Sequence, residues 1–256
     1  MAEHYTDILV VDLLGGIGDL LMVLPVIHGL ARRYPDAALR VLTHEPGAEL
    51  LHGDPAVTDV YTPRAGYPGA EREAVLEVLA AHPPALAVTT TRFDGIPDLL
   101  IASGARCVTD LWRRPPMHER VGDRYLQILL AEGLLTPEDL APPRVCLRPA
   151  ELAEGEQRVA ARLPWAAEAP PVVLVTDAGM RVKRWPPRRW RQLAALLAER
   201  GYPLLIVGPS PVATAAPLPH GSLRQLAAMF AAVANRGGVV VGGDTGDQRV
   251  IDRVGV

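Results

Sequence analysis

Five consecutive residues, Gly15-Gly16-Ile17-Gly18-Asp19, join an apolar run at 7–12 to an amphipathic stretch at 19–33. Glycines let the backbone approach a ligand closely, and the free N–H groups of a helix start attract anions. As a dinucleotide fingerprint the loop is incomplete: Gly16 and Gly18 call for Gly or Ala at position 21, where Leu21 stands. The loop is the sole support for a nicotinamide-dependent oxidoreductase. Asp19 itself suits the N-cap of a helix beginning there, a place that stabilises the carboxylate anion and weakens it as a base. A capping aspartate can still face a cleft.

A second constellation runs Asp177-Ala178-Gly179-Met180-Arg181-Val182-Lys183-Arg184-Trp185-Pro186. It lies between a strand pattern and a helix pattern, and Pro186 suits a first helical turn. Lys183 would give a diphosphate a point charge, and the helix start would give it amide donors. A solvated basic loop is the alternative. Arg188, Arg189 and Arg191 read as exposed charges of the following helix. The third constellation, Gly242-Gly243-Asp244-Thr245-Gly246, again joins strand to helix, with Thr245 as N-cap or phosphate contact.

The elements that must hold these loops alternate in type. Short apolar runs at 7–12, 38–43, 57–62, 85–90 and 107–109 read as strands. Helical patterns at 19–33, 71–81, 96–103, 120–132 and 151–163 separate or follow them. The segment 164–171, with three prolines, reads as a linker. Beyond it strands at 172–176, 204–207 and 239–241 alternate with helices at 186–200, 222–235 and 245–253, and Ser222 is a good N-cap. Repeated β-α-β units predict an α/β protein with parallel sheets, and the restart predicts two Rossmann-like lobes with a cleft between them. The expected lobes are 1–163 and 172–256, joined by 164–171. Ligands then belong at the carboxyl ends of the strands.

Composition narrows the function. The 256 residues carry a net charge of −3, which argues against a nucleic-acid binder. The charge is divided unevenly, −8 before residue 166 and +5 from there on, which suits an anionic ligand in the second half. Cys107 and Cys146 form no C-x-x-C, and the seven histidines are scattered, so neither a disulfide framework nor a metal centre is expected. The start MAEHYTD has no signal-peptide pattern, and no apolar stretch nears the ~20 residues of a membrane span. A cytoplasmic protein without a transmembrane segment is the expectation.

Together the three loops resemble the ADP-heptose:lipopolysaccharide heptosyltransferases, glycosyltransferase family 9. Ile17-Gly18-Asp19-Leu20-Leu21 leading to Pro25 is similar to that family's opening motif. Gly179, Lys183, Trp185 and Pro186 match its G-x-x-x-K-x-W-P loop, Asp244-Thr245-Gly246 its D-T-G loop, and Asp123-Arg124-Tyr125-Leu126 its region before the interlobe linker. The resemblance implies a GT-B fold and an inverting, metal-independent transfer, with no cofactor beyond the donor. A sugar, a heptose by preference, would pass from an ADP-sugar to an acceptor hydroxyl. Asp19 matches the general base. Gly16, Gly18, Gly179, Lys183, Asp244, Thr245, Gly246 and Arg249 fall on the donor side. The acceptor, a glycan, a lipid-linked sugar or a small molecule, would meet first-lobe loops at 64–70, 91–97 and 112–119, with Arg92, Asp94 and Arg113 as candidate contacts.

The departures cluster on the donor side. Arg249 stands where the family has a histidine, and Pro209-Ser210-Pro211-Val212-Ala213 offers no acid for a ribose. The stretch 208–222 is short enough that a helix and a strand are expected to be missing. The chain stops at Val256, soon after the last helix pattern. A shortened family member is therefore expected, and a non-catalytic nucleotide-sugar-binding relative stands as the alternative.

Overall fold

The computed structural model describes residues 4–64, 67–111, 119–140, 142, 144–163, 169–209 and 212–243. It forms two compact units, 1–143 and 144–256.

In the first unit five strands, β1 (Asp7–Asp12), β2 (Ala38–Thr43), β3 (Asp59–Tyr61), β4 (Leu86–Thr89) and β5 (Arg106–Val108), lie in the order β3-β2-β1-β4-β5. All the pairings are parallel. The central strand reads DILVVD because a strand covered on both faces needs apolar residues at every position. Leu9 and Val11 pack with Val75 and Val78 of α2 (Ala70–Ala81) and with Ile96 and Leu100 of α3 (Ile96–Ala102). Helix α1 (Ile17–Arg33) buries Leu20, Leu21, Val23, Leu24, Val26, Ile27 and Leu30. Its position is set by α4 (Val121–Ala131), where a Cβ on Gly122 would come within 3.1 Å of the Met22 carbonyl oxygen. Arg32 adds a polar tie, its Nε donating to the Asp139 carbonyl at 2.6 Å.

The second unit has four parallel strands in the order β8-β7-β6-β9: β6 (Val172–Val175), β7 (Leu204–Val207), β8 (Ala216–Pro217) and β9 (Val239–Gly242). Helix α6 (Pro187–Glu199) covers Val172, Leu174, Leu204 and Ile206 with Trp190 and Ala194. Helix α7 (Leu223–Asn235) starts at Ser222, whose Oγ accepts from the Gln225 amide at 3.2 Å, as a capping serine should.

Two features differ from the sequence reading. Helix α5 (Pro149–Ala160), expected to end the first lobe, belongs to the second unit and packs along α7. The reason is local: Gly155 has no side chain because a Cβ there would lie 2.5 Å from the Ala228 backbone. Arg224 of α7 then donates two bonds, each of 2.7 Å, to the Glu151 carboxylate. The strand expected to be missing between 208 and 222 is also present, as β8 beside β7. Two residues with a proline give no strand pattern, and an edge position is where a sheet tolerates proline. The helix expected at 245–253 lies outside the described residues.

Candidate active site

The order of the first sheet reverses between β1 and β4, and ligands of open parallel sheets bind at the carboxyl ends beside such a point. Buried threonines stitch those two ends together. Thr89 Oγ1 donates to the Val11 carbonyl at 2.8 Å, and Thr91 Oγ1 accepts from the Leu13 amide at 2.9 Å. Thr90 Oγ1 donates to Asp12 Oδ1 at 2.5 Å.

The glycine loop leaves β1 at this point. Gly15 turns with φ 90°, a conformation side chains resist. Gly16, extended at φ −100° and ψ 141°, is the N-cap, and α1 begins at Ile17. Asp19 is therefore the third helical residue and not the cap, contrary to the capping reading of the sequence; Gly18 is the second. The Asp19 carboxylate folds back over Gly16, and a Cβ on Gly16 would strike its Oδ2. The missing side chain of Gly16 thus makes room for a carboxylate. Asp19 itself stays half-buried.

Two buried groups that the sequence reading did not assign to the site share its electrostatics. Asp12 closes β1 at 1% exposure, and its pKa is pushed up to about 6. Burial is the main cause, the Thr90 hydroxyl opposes it, and the charge of Asp19 adds to it. Tyr125 of α4 is also buried, and its phenol is raised by burial and then by the charges of Asp12 and Asp19, with Arg92 opposing. The charges of Asp12 and Asp19 therefore act on each other and on Tyr125, which the charge of Arg92 also reaches. A carboxylate ending an apolar strand was the available signal for Asp12. For Tyr125 the available signal was its place in the Asp123-Arg124-Tyr125-Leu126 segment of the family resemblance.

The loop after β4 carries Arg92 and Asp94, both exposed, and Asp94 holds φ 55°, which aspartate tolerates. Arg72 Nη1 donates to the Asp94 carbonyl at 2.9 Å and braces this turn against α2. A cavity of about 690 Å³ opens here, lined by Tyr67, Pro68, Gly69, Glu71, Arg72, Phe93 and Asp94. Two of the three loops expected to meet an acceptor thus form one wall. Arg113, on the third, lies outside the described residues.

The second sheet reverses between β6 and β9, and the loops from those strands converge. A Cβ on Gly243 would lie 3.2 Å from the Lys183 carbonyl oxygen. In the loop after β6, Arg184 Nε is held by the Ala178 carbonyl at 3.0 Å and by Asp177 Oδ1 at 3.1 Å. That guanidinium is committed to the loop, whereas neighbouring Lys183 is exposed. Trp185 meets buried Trp190 edge to face at 5.0 Å and pins the loop to α6. Gly179 has open space where its Cβ would be, so packing does not demand a glycine there. Arg188, Arg189 and Arg191 are exposed, as expected. Asp244, Thr245, Gly246 and Arg249 lie outside the described residues. Among the described residues, no group of three or more His, Cys, Asp or Glu is placed to hold a metal ion, and no helix is long and apolar enough to cross a membrane.

No protein-family model and no curated protein matches the chain. Solved structures do. A glycosyl transferase family 9 protein from Veillonella parvula superposes with a TM-score of 0.79 at 16% identity, over 100% of this chain and 80% of that one. The E. coli heptosyltransferase WaaC with ADP gives a TM-score of 0.68 at 19% identity, covering 97% and 84%. The E. coli ADP-heptose lps heptosyltransferase II gives 0.66 at 18%, covering 96% and 82%. The chain shares the GT-B fold of these proteins, two Rossmann-like units with parallel sheets.

Proposed function

We propose that the protein is a glycosyltransferase of the heptosyltransferase kind, moving a heptose from an ADP-sugar to an acceptor hydroxyl with inversion and without a metal. The observation that carries this reading is the Asp19 carboxylate, lodged over Gly16 at the reversal point of the first sheet. It is supported by the three motifs in register and by the shared fold.

In this reading the acceptor hydroxyl gives its proton to Asp19 as its oxygen bonds to the anomeric carbon. The bond from that carbon to the β-phosphate oxygen breaks, and ADP leaves. A diphosphate leaving group needs positive charge and amide donors more than covalent help. Lys183 and Gly179 would supply the charge and the close approach, joined by Asp244, Thr245, Gly246 and Arg249, which follow β9 in the sequence. The first unit would hold the acceptor, with Arg92, Asp94 and Arg113 among its contacts.

Calorimetric titration with ADP, UDP, GDP and NAD tests the donor side: ADP should bind, and Lys183→Ala should abolish the binding. Asp19→Asn should keep ADP affinity while transfer from ADP-heptose falls by ~10²–10⁴, the usual worth of a positioned base. ADP binding without turnover by the unsubstituted protein would favour a non-catalytic nucleotide-sugar binder. Unchanged transfer by Asp19→Asn would remove Asp19 from its role.

A further inference from the structure

Helix α6 opens against its own electrostatics. Arg188, Arg189 and Arg191 fall among its first five residues, no acid stands in its first turn, and Pro186 at the N-cap gives no side-chain cap. The amide end of a helix favours carboxylates, so three guanidinium groups there are repelled by it and by one another. Acidic partners would relieve that cost. Among the described residues, however, Arg188, Arg189 and Arg191 have no ion pair, and neither has Arg181 in the loop before them. From 180 to 200 the chain holds seven cations and a single acid, Glu199. Two of the seven are engaged locally, Arg184 with Asp177 and Arg200 with the Leu196 carbonyl.

The loop that leads into α6 sets apolar side chains between its cations. Val182, in the 3-10 turn Arg181–Lys183, is 87% exposed, and Met180 is 53% exposed. Trp185 also reaches solvent. On α6 itself Trp190 and Ala194 face the sheet, while Arg188, Arg191, Ala195 and Leu196 are exposed on the remaining surface. The edge-to-face contact of Trp185 with Trp190, and the bonds of Arg184 to Asp177 and to the Ala178 carbonyl, fix the loop on the helix. The apolar groups and the arginines are therefore held as one piece.

Cations without acids, interleaved with aliphatic groups in water, call for a partner that is both anionic and apolar. RNA would neutralise the arginines but leave Val182, Met180 and Leu196 in water. A leaflet with anionic headgroups satisfies both needs. Its phosphates draw the guanidinium groups, and the apolar side chains enter the boundary between headgroups and acyl chains beside the arginine stems. An exposed tryptophan suits the same boundary.

We propose that the surface made by the 180–185 loop and the exposed side of α6 docks the protein on a bilayer bearing anionic lipid. The proposal does not rest on the transferase reading, and Val182, Arg188, Arg189, Arg191 and Leu196 are outside the donor assignment. Sedimentation of the full chain with large vesicles tests it. Vesicles of phosphatidylcholine mixed with phosphatidylglycerol should bind it at least tenfold more strongly than phosphatidylcholine alone, and added salt should weaken that binding. The triple variant Arg188→Glu, Arg189→Glu, Arg191→Glu should lose at least tenfold in vesicle binding with no fall in melting temperature, because acids suit the start of a helix. Val182→Ser combined with Leu196→Ser should weaken vesicle binding threefold or more at unchanged charge. Duplex RNA, titrated separately, should bind more weakly than the mixed vesicles. Equal binding to the two kinds of vesicle, retained binding in the charge variant, or indifference to the serine variant would overturn the proposal. Tighter binding of RNA than of the mixed vesicles would overturn it too, and would assign the surface to nucleic acid.

Discussion

Asp12 shows how one buried residue couples stability to pH. Its folded pKa of about 6 lies above the ordinary 3.8, so the folded state keeps a proton that the unfolded chain has released. Stability from this group is full below pH ~4 and is lost as pH rises through about 6. Asp12→Asn keeps an oxygen to accept from Thr90 and cannot ionise. Urea unfolding at pH 7.5 should show the variant more stable than the parent by up to about 3 kcal/mol, a gap that closes near pH 4. The same substitution removes a negative charge that acts within the Asp19 group, so an acid limb near pH 6 in the rate profile should flatten. Gly16 makes a complementary prediction. Gly16→Ala must displace the Asp19 carboxylate, a flexible side-chain end, so kcat should fall at least tenfold while the melting temperature changes little. Equal kcat values would mean that the carboxylate's place over Gly16 is not required.

Among the elements, the pairing of α5 with α7 holds the second unit together beneath its loops. Gly155→Ala places a methyl 2.5 Å from the Ala228 backbone, where no side-chain rotation relieves it. It should cost about 1–3 kcal/mol or more by denaturant unfolding, in line with overpacked cores. Arg224→Ala leaves the half-hidden Glu151 carboxylate without its bidentate partner and should cost about 3 kcal/mol. The Arg224 bonds, chiefly, hold the Glu151 carboxyl far below its usual range, so this stability is present above pH ~4.5 and disappears in stronger acid. The helices were legible in the sequence because each repeats apolar residues at helical spacing. The partner of α5 was not, since nothing local says which helix an alanine-rich face will meet.

Across the whole molecule, two units built on parallel sheets present different residues at equivalent places. Each sheet reverses order once, and each reversal point receives a loop singled out by its glycines and charges. Hydrogen exchange with and without ADP should show protection at 176–186, and none at 67–72 or 91–95, if the donor belongs to the second unit. Protection confined to the first unit would reverse the assignment. The alternation of strand and helix, the loops that end the strands, and the exposure of Arg188 on its helix were all legible, because they depend on periodicity and on neighbours a few residues away.

What the amino-acid order determined by itself was therefore the α/β class, the strand-loop-helix context of Asp19 and Lys183, and the capping serine at 222. These follow from side-chain spacing and local hydrogen bonding. Tertiary structure alone decided that Gly16 is the cap and Asp19 folds over it, and that the Asp19 charge reaches Asp12 and Tyr125. It also decided that loops more than twenty residues apart line one open cavity, with Phe93 and Tyr67 among its walls. The reason is physical: burial, carboxylate repulsion and cavity walls depend on distances across the sheet, and residues 78 apart in the chain, such as Asp12 and Thr90, meet only once the strands have paired.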